Sequence, residues 1–157
     1  MAASLPIVPR LVFTIIEPLS LVAGFLGAVL DPVWFAEQQL PHDAPLTTSR
    51  NTAVTLALLL GNLYLLLAFI GLAVLTTTSE PVVVRAYLVA LWLGDIGHVA
   101  FSMYSLGWEQ AMDPAGWNSM AWGNIGFTVF LFTVRSLYFL GSFGPGAPAA
   151  SAKPKRA

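Results

Sequence analysis

The chain has 157 residues, of which 57% are apolar and 10% charged, and its mean hydropathy is +0.75. Ordinary soluble domains carry roughly 25% charged residues, so too few remain here to build a polar shell, and lipid is the solvent this composition fits. A formal charge of −1, with seven dispersed Lys and Arg apart from three near the C-terminus, excludes a nucleic-acid partner, and the lack of cysteine excludes disulfides, thiolate nucleophiles and Cys-ligated metals.

The first apolar stretch runs from about Ile7 to Leu30, and about 20 helical residues suffice to cross a hydrocarbon core. Asp31-Pro32-Val33-Trp34 follows it directly instead of a small-residue cleavage site, so it reads as a retained helix rather than a signal peptide. Further spans are expected over about Thr52 to Thr76, Val82 to Leu106 and Trp117 to Leu140. Pro81 opens the third and Gly107 follows its end, while Pro32 to Arg50 and Trp108 to Gly116 have the composition of wet loops. The fold expected is all-α, a bundle of four transmembrane helices over residues 1–141. A Gly, Pro and Ala tail with a basic end, residues 142–157, is too poor in large apolar residues to pack. Arg10, Arg85, Lys153, Lys155 and Arg156 fall on one side of this bundle and Arg50 on the other, which puts both termini in the cytosol of a multi-pass protein, expected in the endoplasmic reticulum.

Ionisable side chains at membrane depth cost a few kcal/mol and call for a partner or water. Glu17 is the first, followed by Pro18, whose missing N–H would leave the Thr14 carbonyl without its helical donor. Either a kink and a polar pocket coincide there, or Glu17 marks the true start of the helix with the preceding residues at the interface. Asp95 and His98, three apart in the third span, share a helix face. They are candidates for a carboxylate and imidazole acid–base pair, or for a polar clasp between helices. Metal is not expected, because the other histidine, His42, lies in a loop. No cofactor is expected either.

Arg135 and Tyr138 share a face of the fourth span; Arg135 either snorkels to the headgroups or pairs with Glu17 or Asp95. Asn62 and Tyr64 in the second span, and Trp122 and Asn124 in the fourth, add neutral hydrogen-bonding groups, as binding residues or as glue between helices. Trp92, Trp108, Trp117 and Tyr104 read as interface anchors or lipid-facing aromatics. Gly24 with Ala28, Gly94 with Gly97 and Gly123 with Gly126 offer close helix approach.

Phe13-Thr14-Ile15-Ile16-Glu17-Pro18, Leu91-Trp92-Leu93-Gly94-Asp95-Ile96-Gly97-His98, Trp122-Gly123-Asn124 and Arg135-Ser136-Leu137-Tyr138 carry a resemblance to a family of small four-span fungal integral membrane proteins of unassigned function, some encoded in secondary-metabolite clusters. More remotely the pattern is similar to the emopamil-binding-protein group, which includes sterol isomerases, and to fungal membrane terpene cyclases. It departs from both: a second carboxylate paired with the histidine is missing, and the chain is much shorter than the seven-span cyclases. The resemblance implies an isomerase or cyclase acting on a lipophilic terpenoid or sterol-like substrate. Glu17 or Asp95 would be the proton donor, with Trp122, Tyr64 and Phe101 as aromatic faces. The competing expectation is a non-catalytic scaffold or lipophilic-ligand-binding protein. The expected partners are membrane lipids, a lipophilic small molecule, and a membrane enzyme or further copies of the chain.

Overall fold

Helix accounts for every regular element in the computed structural model, which describes residues 5–40, 49–78 and 80–144. His42 and residues 145–157 of the expected tail lie outside them. Three helices are long and apolar enough to cross a membrane: α1 (Ile7–Leu30), α3 (Arg50–Thr77) and α4 (Pro81–Leu106). Their outward faces expose large apolar side chains such as Leu19, Leu59, Phe69 and Leu93, which is compatible with a membrane protein.

Local chemistry sets the helix ends. Ser49 caps α3, its Oγ accepting from the Thr52 N–H at 3.3 Å. Pro81 fills the first turn of α4, and Gly107, at φ 80°, ends it. The segment after α1 differs from the expected loop. Asp31 accepts from the Trp34 N–H at 3.0 Å and Pro32 takes the first helical position, so Pro32–Glu37 folds as a short helix, α2, that buries Phe35. Another short helix, α5 (Trp108–Ala111), and a 3-10 turn at Pro114–Gly116 follow α4. The final helical stretch, α6, covers residues 119–139.

Both α1 and α6 contain a widened, π-type turn. In α1 it spans Val12–Ile16, ending two residues before Pro18, and the Glu17 N–H donates to the Val12 carbonyl five residues back. The helix thus passes through a residue that has no N–H to give, instead of beginning at Glu17. In α6 it spans Trp122–Phe127. There the Trp122 ring folds over Gly126, where an added Cβ would come within 2.6 Å of it.

Helices α1 and α3 pack along most of their lengths. A Cβ on Gly61 would stand 2.8 Å from that of Ala28, and one on Gly24 2.9 Å from the Tyr64 ring. Helices α4 and α6 form a second pair, in which Trp92 stacks on Phe132 with centroids 5.3 Å apart and donates to Ser136 Oγ at 2.9 Å. Trp92 is therefore a contact between helices rather than the lipid-facing anchor expected. The expected close approaches at Gly94 and Gly123 are not seen, since among the described residues no other part of the chain comes within 4 Å of a Cβ built on either.

The two pairs meet near the α3–α4 connection, where Val12, Phe13, Leu75, Leu88 and Leu131 form the largest apolar core. Toward the other end α3 and α4 diverge. Phe35 of α2 packs with Ala28 and Ala57, and Ala121 and Ile125 of α6 pack with Leu106.

Candidate functional site

Two polar clusters lie between the helices. The first is centred on Arg135, which α6 projects into the bundle with no exposed surface. One terminal nitrogen donates to Asp95 of α4 and the other to Glu17 of α1. Both carboxylates are buried, and the Phe13 ring lies 5.1 Å from the guanidinium carbon. Arg suits this place because its planar fork satisfies two carboxylates from two directions, which a single ammonium cannot do with the same geometry. Of the alternatives for Arg135, pairing is realised and snorkelling is not. The cluster ties together three helices far apart in sequence. Its Nε has no hydrogen-bond partner among the described residues.

The second cluster lines a cavity of about 730 Å³ in the gap where α3 and α4 part. Leu56, Ala57, Leu60 and Tyr64 come from α3, His98, Phe101, Ser102 and Ser105 from α4, and Phe35 and Ala36 from α2. Asn124, on the widened turn of α6, stands beside His98 and donates to Gln39 Oε1 at 2.9 Å. Gln39 also donates to the Phe35 carbonyl at 3.2 Å, and Asn118 donates to the Gln38 carbonyl at 2.9 Å, which fixes the segment after α2 against α6. The walls are mostly apolar, and Gln39, Asn124, His98 and the two serines supply hydrogen-bonding groups. Leu56 and Phe101, 59% and 75% exposed, mark an opening on the outer face between α3 and α4.

The predicted residues therefore divide. Glu17, Asp95 and Arg135 converge in the first cluster; His98, Tyr64 and Asn124 line the second. Asp95 and His98 do not form the expected pair. Residues three apart on a helix differ by about 60° in direction, and Asp95 is turned to Arg135 while His98 faces the cavity. Trp122 is 52% exposed and packs edge-on against Trp117 with centroids 5.1 Å apart, outside the cavity lining. Tyr138 packs against the large core, and Asn62 lies on the exposed face of α3. Sequence reasoning missed Gln39, Ser102 and Ser105. The two serines carried a signal, since they lie four and seven positions after His98 and so share its face; Gln39 carried none.

Chemically, the first cluster pairs its charges internally and leaves only the Arg135 Nε without a partner among the described residues, whereas the second turns one imidazole, two carboxamides and two hydroxyls toward a mostly apolar, laterally open space. Among the described residues no group of three His, Asp or Glu side chains is placed to hold a metal.

A family model described as a domain of unknown function (DUF7704) matches residues 2–145. No curated protein and no solved structure matches the chain.

Proposed function

We propose, from the premise that the chain belongs to the DUF7704 family, that it is a four-span membrane protein that binds a lipophilic small molecule with a hydrogen-bonding head. One observation carries this reading: an apolar cavity of about 730 Å³ furnished with His98, Asn124 and Gln39. Pockets for drug-sized ligands occupy roughly 300–1,000 Å³ and combine apolar walls with a few polar groups that set orientation. The opening between α3 and α4 would admit such a ligand from the bilayer. In this reading α6 is the fourth span, both termini are cytosolic, and the cavity lies in the lumenal half of the bundle. The Arg135 cluster serves assembly, by holding the spans in the arrangement that leaves α3 and α4 apart.

The chemistry-bearing alternative uses the same cavity. His98 is an ionisable group that lines it, so an isomerase or cyclase working there would have His98 as its acid–base residue, Tyr64 and Phe101 as aromatic faces, and Glu17 and Asp95 as positioning groups through Arg135. The resemblance to small fungal membrane proteins of secondary-metabolite clusters supports a terpenoid or sterol-like ligand in either case.

The test is binding of farnesol and of a fluorescent sterol to the full chain in nanodiscs. Ser102→Phe fills the cavity and Asn124→Leu removes its carboxamide. Each should weaken binding of at least one probe by about tenfold or more, a change of roughly 1.4 kcal/mol, with the helical circular dichroism signal retained. Equal binding by the parent and both variants would end the reading. Conversion of either probe to a product by the parent, abolished by His98→Ala, would favour the enzyme.

A further inference from the structure

Helix α3 has two opposed seams. The inner one, Ala57, Gly61, Tyr64, Ala68, Gly71 and Leu75, is buried except for the half-buried Tyr64 and faces α1 and the core. The outer one, Thr55, Leu59, Asn62, Leu66, Phe69 and Ala73, has alternating spacings of four and three, the a and d spacing of a helix that packs along its length on another. Every one of its residues is exposed.

Asn62 sits near the middle of the outer seam. Thr55, at one end, returns its hydroxyl to the Asn51 carbonyl at 2.9 Å. The Asn62 carboxamide, by contrast, makes no hydrogen bond among the described residues. A primary amide facing hydrocarbon without a partner is costly, and asparagine at such positions joins membrane helices by hydrogen bonding across them.

We propose that the outer seam of α3 is the interface of a parallel homodimer, in which Asn62 bonds to Asn62 of a second copy. Symmetry favours that occupant. When two copies related by a two-fold axis along the membrane normal meet through one seam, each seam residue meets its own counterpart at the same depth. A carboxamide carries both donor and acceptor, so it complements itself; a different partner would have to place a matching group at that depth independently. The proposal goes beyond ligand binding and rests on α3 being a membrane span, not on the cavity.

The chain has no cysteine, so single-cysteine variants report the interface without background. In phosphatidylcholine vesicles, oxidation should cross-link Leu59→Cys, Asn62→Cys and Leu66→Cys into dimers. Leu56→Cys and Leu63→Cys, exposed on α3 but off the seam, should stay monomeric. In single-molecule photobleaching, Asn62→Leu should lower the association constant by roughly three- to thirty-fold, corresponding to one interhelical hydrogen bond; Asn62→Gln should retain most of it. Cross-linking with no dependence on position, a monomer at every protein-to-lipid ratio, or a dimer indifferent to Asn62→Leu would overturn the proposal. Vesicle flotation of the same samples tests the membrane premise separately, and farnesol binding tests the cavity.

Discussion

With no exposed surface and a carboxylate on each side, Arg135 has its alternatives closed off by Glu17 and Asp95. A buried ionic group is weak evidence of net stabilisation, because desolvation offsets much of the attraction, yet removing one member strands the others. Arg135→Met should therefore destabilise the fold by about 3–5 kcal/mol, seen as a lower midpoint in detergent thermal unfolding. Arg135→Lys should recover only part of this, since an ammonium lacks the fork that reaches both acids. The triple variant Glu17→Leu, Asp95→Leu and Arg135→Met should be more stable than Arg135→Met alone, and a triple variant less stable than the single one would show that the acids have other partners. All three residues were legible as ionisable positions within apolar stretches. Their convergence was not, because it depends on helix rotation, and the widened turn before Pro18 shifts the direction in which Glu17 points.

Helix positions, by contrast, follow from hydropathy and punctuation. The expected spans at 7–30 and 82–106 differ from α1 and α4 by at most one residue at either end, because Pro81 and Gly107 mark real boundaries. The Asp31-Pro32 start of α2 was readable as a cap followed by a first-turn proline, and its flanking Pro and acidic residues disguised it as loop. Small residues were legible as contact candidates without indicating which of them touch. Gly61 lies against Ala28 while Gly94 faces open space. Gly61→Ala should accordingly cost about 1–3 kcal/mol through overpacking, and Gly94→Ala should be neutral or stabilising by up to about 1 kcal/mol through the gain in helix preference. Thermal midpoints of the two variants in one detergent check this, and equal effects would contradict the α1–α3 packing.

At the scale of the molecule, two helix pairs meet near the short α3–α4 connection, and at the other end α3 and α4 part while the segment after α2 is held against α6, which leaves a bundle with a lateral opening. Such an opening does not follow from any single span, which is why the sequence pointed to His98, Tyr64 and Asn124 without indicating that they share a space. The four-span reading predicts that α6 crosses the bilayer, so Gln110→Cys and Ser142→Cys should react with an impermeant maleimide from opposite sides of oriented vesicles; labelling from the same side would mean that α6 does not cross. The proposed ligand binding is tested most directly by photolabelling the full chain in vesicles with a farnesol analogue bearing a diazirine on its tail, then mapping the adducts by mass spectrometry. Ligand binding predicts adducts concentrated on Leu56, Leu60, Phe101 and Ser102 and suppressed by excess unlabelled farnesol. Adducts spread evenly over outward faces such as Leu19, Phe69 and Leu93, and indifferent to the competitor, would contradict it.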